Sequence, residues 1–123
     1  MKLNSKFHGI VDYAVVLFLL LSPTLFSLPS LAANFTYLLG GIHLTLTILT
    51  NFELGIIKVI PFKIHGLIEL IVSIALVGVA FYLGKVEGSV PQYFYLVFAA
   101  AVFATWAVTD YKGKVAAQGT RLK

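Results

Sequence analysis

Polar residues are sparse along this chain and cluster at the edges of long apolar runs. Four such runs stand out, each near the ~20 residues that an α-helix needs to cross a bilayer. The first extends from about Lys6 to Leu28, the second from about Leu31 to Asn51, the third from about Phe62 to Leu83 and the fourth from about Pro91 to Tyr111. The breaks carry recognisable punctuation. Ser22-Pro23 and Leu28-Pro29-Ser30 end or kink the first run, Pro61 suits the first turn of the third, and Gly84, Gly88 and Pro91 mark the last connection. Backbone exposed to lipid must satisfy its own hydrogen bonds, so runs of this length predict helices. The expected fold is all-α, a bundle of four transmembrane helices in one integral membrane domain spanning 1–123.

Composition strengthens that reading. Of the 123 residues, 59% are hydrophobic and only 11% charged, against about 25% charged in an ordinary soluble domain. Mean hydropathy is +0.95. With no cysteine, thiolate metal sites, iron–sulfur clusters, disulfides and thiol catalysis are excluded. The net charge of +4 is a signal of topology. Its basic residues lie at the chain ends and in one loop, without the aromatic interleaving that would stack bases, so nucleic acid is not an expected partner.

Lysine and arginine divide unequally between the two sides. Lys2 and Lys6, Lys58 and Lys63, then Lys112, Lys114, Arg121 and Lys123 fall on one side, and Lys85 alone on the other. The positive-inside rule then places both termini and the middle loop in the cytoplasm. Lys2 and Lys6 before an apolar stretch, with Ser30-Leu31-Ala32 beyond, also fit a cleaved signal peptide. Asp12 inside that stretch favours a retained span. The middle connection, FELGIIKVIPFK from Phe52 to Lys63, is too apolar for an ordinary loop and too short to span. It is expected to lie along the interface with Lys58 and Lys63 toward the headgroups.

The polar residues themselves repeat. FHGIVDY at 7–13 and IHGLIEL at 64–70 match with one offset, which pairs His8 with His65, Gly9 with Gly66 and Asp12 with Glu69. Further on, Thr50-Asn51-Phe52 matches Thr109-Asp110-Tyr111. Two two-helix units are expected, about 6–52 and about 62–111, separated by an interfacial loop at about 53–61 and followed by a cytoplasmic tail at 112–123. An even number of spans per unit makes them parallel repeats about an axis along the membrane normal.

The stretch Leu19-Leu20-Leu21-Ser22-Pro23-Thr24-Leu25-Phe26, followed by a short loop and a glycine-containing span, resembles the bacterial SPW-repeat membrane proteins, which are built from two-helix units joined at Ser-Pro-Trp. Thr24 stands where that family has tryptophan, and the second unit has Val79-Ala80-Phe81 in place of Ser-Pro. The resemblance covers about the first half of the chain. It implies a small multi-pass protein of the bacterial cytoplasmic membrane and carries no activity with it.

Residues three or four apart share a helix face. His8 and Asp12 form one polar stripe, His65, Glu69 and Ser73 a second, and Gly40, His43, Thr47 and Asn51 a third; the fourth is Ala99, Val102, Trp106 and Asp110. Odd helices enter from the side that even helices leave toward, so levels can be matched. His8, His65, Asn51 and Asp110 lie near the boundary, while Asp12, Glu69, Thr47 and Trp106 lie about 6 Å deeper, with Ser73 and His43 deeper again. If the stripes converge, they make one polar pocket in the cytoplasmic half.

A charge at a helix centre costs about 2.5–3.5 kcal/mol on insertion scales, and such residues point to function by default. The first reading is an ion- or small-ligand-binding or transport module in which His8, Asp12, His65 and Glu69 hold a divalent metal such as Zn²⁺ or Mn²⁺, or relay protons. The same four could instead only pair with one another and fix helix register, as in a structural or assembly subunit or a homo-oligomer, with the lipid bilayer as partner. A third reading has His8 and His65 ligate a haem from both faces. Enzyme chemistry ranks last. Ser22 has no base at its level, Ser73 is collinear with Glu69 and His65 on one helix, and neither a phosphate-binding glycine loop nor a zinc-protease pattern occurs. Gly9, Gly66, Gly40, Gly41, Ala99, Ala100 and Ala104 are read as close-packing surfaces, and Tyr37, Tyr93 and Tyr95 as an interfacial belt.

Overall fold

In a computed structural model, described for residues 2–111, the chain forms four helices: α1 (Ser5–Leu25), α2 (Ser30–Leu49), α3 (Phe62–Glu87) and α4 (Ser89–Val108). The tail at 112–123, with Lys112, Lys114, Arg121 and Lys123, lies outside the described residues. All four helices are long and apolar enough to cross a membrane. Burial is inverted relative to a water-soluble bundle. Leu17, Leu25, Leu38, Ile74 and Val97 face outward, whereas Ser5, His8, Asp12, Thr36, Thr47, His65, Glu69 and Ser73 are buried. Apolar outer faces of this kind suit lipid, in which polar groups need partners inside the bundle.

The helix ends differ from the sequence expectation by a few residues, each for a local reason. Asn4 caps α1, its side chain accepting from Phe7 N–H at 2.9 Å. The helix runs two residues past Pro23 before stopping. α3 continues through Gly84 and Lys85 to Glu87, and Gly88 makes the turn into α4 at φ +99°, a conformation that favours glycine. That extra turn gives Glu87 a task. Its carboxylate accepts from Leu31 N–H at 2.9 Å and Ala32 N–H at 2.8 Å, serving the α2 terminus that Pro29 leaves without a side-chain cap.

α1 packs along α2 and α3 along α4, with α2 meeting α3 over a smaller area. Phe18 and Phe26 of α1 and its end close onto Phe94 and Phe98 of α4. The half of the bundle away from the termini is filled by Leu19, Leu76, Ala80, Leu83, Tyr95 and Ala99, and there the Tyr95 hydroxyl is hydrogen-bonded to that of Thr36.

At the opposite end, α2 and α4 stop earlier than their apolar pattern implies, at Leu49 and Val108. The next residues are extended and form short parallel ladders. Thr50–Asn51 (β1) pairs with Ile60–Pro61 (β2), and Thr109 bridges to Leu3. These bridges tie the entrance of α3 to the exit of α2 and the entrance of α1 to the exit of α4. The expected interfacial stretch divides accordingly. Phe52 and Phe62 turn fully inward, while Ile56, Ile57 and Val59 stand exposed.

Candidate functional site

Helix periodicity places His8 and Asp12 of α1 on one face and His65 and Glu69 of α3 on another. The packing of the bundle brings the two faces together. His8 Nε2 lies 3.2 Å from Asp12 Oδ2 and 3.0 Å from Glu69 Oε1. His65 Nε2 lies 3.0 Å from Asp12 Oδ2 and 3.3 Å from Glu69 Oε2. Each carboxylate thus bridges the same two imidazoles, and one potential ligand atom from each of the four residues lies within 4.8 Å of all the others. Both histidines have no solvent exposure. His43 of α2 joins from the side, its Nε2 3.5 Å from Asp12 Oδ1.

The outer edge of each ring is held from a different helix. His8 Nδ1 is 2.8 Å from Thr109 Oγ1, and His65 Nδ1 is 2.7 Å from Thr50 Oγ1. A threonine hydroxyl has one hydrogen. Thr50 gives its hydrogen to Leu46 O at 2.6 Å, and Thr109 gives its own to Thr105 O at 2.5 Å. Both oxygens can therefore only accept, so each imidazole carries its hydrogen on Nδ1 and aims Nε2 into the cluster. There His8 Nε2, His65 Nε2, His43 Nε2 and Asp12 Oδ2 are buried and have no hydrogen-bond partner. A proton on each Nε2, paired to these carboxylates, or a cation between the nitrogens and the oxygens would relieve such close contacts.

An aromatic layer closes the site on the side of the chain termini. The Phe52 and Phe62 rings stack at 5.7 Å, and Phe62 meets Tyr111 at 4.7 Å. Phe62 also lies edge-on to His8 at 5.4 Å. Gly9 and Gly66 make room for this layer. A Cβ at Gly9 would run into the Phe52 ring and come within 2.9 Å of Leu54 Cδ1; one at Gly66 would lie 2.6 Å from Tyr111. The Tyr111 hydroxyl donates to Glu69 Oε1 at 3.0 Å. Burial, reinforced by the Glu69 charge, pushes this phenol well above its usual range, so it stays a donor.

Two hydroxyls of the polar stripes, those of Thr47 and Ser73, turn to their own helices. Thr47 is buried, but its hydroxyl donates to His43 O at 2.8 Å; Ser73 donates to Leu70 O at 2.7 Å. Both spend their hydrogen on their own helix. Trp106 is half-buried with its ring against Phe103 at 5.7 Å. Asn51 and Asp110 sit beyond the helix ends, on the extended segments. Conversely, Thr50, Thr109, Phe52, Phe62 and Tyr111 belong to the site and were not expected there, although Thr50-Asn51-Phe52 and Thr109-Asp110-Tyr111 are the very segments that match in the sequence.

For the haem reading, the carboxylates of Asp12 and Glu69 stand between His8 Nε2 and His65 Nε2, where a porphyrin held from both faces would need its plane. Comparison with known proteins finds no matching family model, no matching curated protein and no matching solved structure.

Proposed function

We propose that this chain is a multi-pass membrane protein that binds one divalent transition-metal ion, Zn²⁺ foremost, through His8, Asp12, His65 and Glu69. One observation carries the reading: the two threonines hold both imidazoles with Nε2 directed inward, onto carboxylate oxygens with which they make no hydrogen bond. Metal-ligating histidines characteristically donate their other N–H to an outer partner. The scale is that of a ligand set: the nitrogen–oxygen separations run from 3.0 to 3.3 Å, two of them to different oxygens of Glu69, and one ligand atom from each residue lies within 4.8 Å of the others. Two carboxylates balance the charge of one divalent ion, so the loaded site carries no net charge into the membrane.

The site reads as the meeting point of two parallel repeats. His8 with Asp12 corresponds to His65 with Glu69, and the threonine serving each histidine comes from the other unit. By the distribution of lysine and arginine, the site belongs to the cytoplasmic half of the bilayer, with both termini on that side.

A second reading has its own support. Each carboxylate touches a ring from both α1 and α3, which could simply lock the helices together. Metal analysis of protein purified without affinity-tag metal separates the two. About one equivalent of zinc, lost in His65→Ala and Asp12→Asn, supports the metal centre. Metal-free protein that takes up no Zn²⁺ or Co²⁺ on titration leaves the structural reading.

A further inference from the structure

The two carboxylates of the cluster are presented differently. Asp12 turns one oxygen toward both rings, its Oδ2 lying 3.2 Å from His8 Nε2 and 3.0 Å from His65 Nε2. Glu69 gives one oxygen to each ring, Oε1 at 3.0 Å from His8 Nε2 and Oε2 at 3.3 Å from His65 Nε2. The remaining oxygen of Asp12, Oδ1, faces His43 of α2, whose Nε2 is 3.5 Å away. That nitrogen is buried and has no hydrogen-bond partner.

His43 breaks the symmetry of the site. In the match between the two halves its counterpart is Val102, and Glu69 is reached instead by the Tyr111 hydroxyl, 3.0 Å from Oε1. The three rings also differ in what places their hydrogen. Thr109 and Thr50 hold the His8 and His65 hydrogens on Nδ1, and neither threonine serves His43. A nitrogen lone pair aimed at a carboxylate oxygen is repelled, whereas an N–H in the same place is attracted. This favours the His43 hydrogen on Nε2, from which a small turn of either side chain closes the 3.5 Å contact into a charge-assisted hydrogen bond.

We propose that His43 is a positioning residue that sets which ion the site prefers, Zn²⁺ over Mn²⁺. Its Nε2–H holds Asp12 Oδ1, so that Asp12 ligates through Oδ2 alone. Two imidazoles, one Asp12 oxygen and Glu69 then make the small donor set that suits Zn²⁺. Released from His43, Oδ1 turns onto the same ion and adds an oxygen ligand, which suits Mn²⁺. This selection rests on the metal reading and adds to it the residue that chooses between two ions.

The test uses full-length protein in detergent micelles, given Zn²⁺, Co²⁺ or Mn²⁺ alone. Zinc affinity is read by chelator competition and Mn²⁺ affinity from the electron paramagnetic resonance of the free ion. The visible absorption of Co²⁺, intense in tetrahedral sites and weak in octahedral ones, reports the coordination. In His43→Leu the zinc dissociation constant is expected to rise about 10–100-fold, that for Mn²⁺ to change less than about threefold, and the Co²⁺ absorption to fall. His43→Gln, which offers an amide N–H near the position of Nε2, should return zinc affinity to within about threefold of wild type and restore the Co²⁺ absorption. In zinc-loaded wild-type protein, ¹⁵N-labelled at histidine, the His43 hydrogen should be on Nε2. That spectrum and His43→Gln decide the matter even if His43→Leu does not fold. A His43 hydrogen on Nδ1 overturns the proposal. So do Zn²⁺ and Mn²⁺ weakened alike in a folded His43→Leu protein, or a folded His43→Gln protein more than about tenfold weaker for zinc than wild type. Wild-type protein that takes up neither Zn²⁺ nor Co²⁺ is a separate failure, that of the metal reading itself, and the selection falls with it.

Discussion

The most discriminating perturbation of the proposed metal centre is removal of a group that would not touch the metal. Thr109→Val is nearly isosteric and takes away the hydroxyl that accepts from His8 Nδ1 at 2.8 Å and donates to Thr105 O. The ring stays buried with no exposure, so its N–H loses its partner without gaining water. An unsatisfied buried donor costs about 1–3 kcal/mol. Part of that can be escaped by moving the hydrogen to Nε2, which removes the lone pair a metal needs. Loss of an outer partner of a ligating histidine typically costs about 10–100-fold in metal affinity, equivalent to about 1.4–2.7 kcal/mol. The expected result is a zinc dissociation constant raised 10–100-fold, measured by competition with a chromophoric chelator. Thr50→Val should behave alike through His65, and Thr109→Ser, which keeps the hydroxyl, should stay within about threefold of wild type. Histidine ¹⁵N spectra give an independent readout, since the His8 hydrogen should leave Nδ1 in Thr109→Val and remain there in Thr109→Ser. Unchanged zinc affinity in Thr109→Val, with the His8 hydrogen still on Nδ1, would refute the reasoning.

Other outcomes follow from particular contacts. Gly9→Ala and Gly66→Ala drive a Cβ into the Phe52 and Tyr111 rings; each should destabilise the protein by about 1–3 kcal/mol, seen as earlier unfolding in a denaturant titration in detergent, while the exposed Gly41, with open space around it, should accept alanine at little cost. Glu87→Gln removes the charge that serves Leu31 N–H and Ala32 N–H; a loss of about 0.5–1 kcal/mol is expected, with faster amide exchange at the start of α2 and no change in metal content. Asp12→Asn should abolish zinc binding, because Asp12 Oδ2 is the oxygen shared by His8 and His65; a variant that retains one equivalent of zinc would remove Asp12 from the site.

Much of the architecture is local and therefore legible in the residue order. A span must satisfy its own backbone hydrogen bonds in lipid, so four apolar runs of sufficient length dictate four helices, and the i, i+4 spacing of His8 with Asp12 and of His65 with Glu69 puts each pair on one face whatever the packing. Gly9 and Gly66, adjacent to those histidines, announce a close approach without saying of what. The tertiary structure decided which polar stripes meet. Thr47 and Ser73 lie on the same faces as the site residues, but a hydroxyl can donate to a carbonyl of its own helix, so a polar stripe does not require a partner across the bundle. Thr50 and Thr109 join the site for the opposite reason. α2 and α4 end just before them, and pairing with Ile60 and Leu3 holds them extended, out of the helical register from which a stripe is read. Their hydroxyls reach the histidines of neighbouring helices only because long-range pairing sets where the chain goes after the last turn, and no periodicity within one helix encodes that.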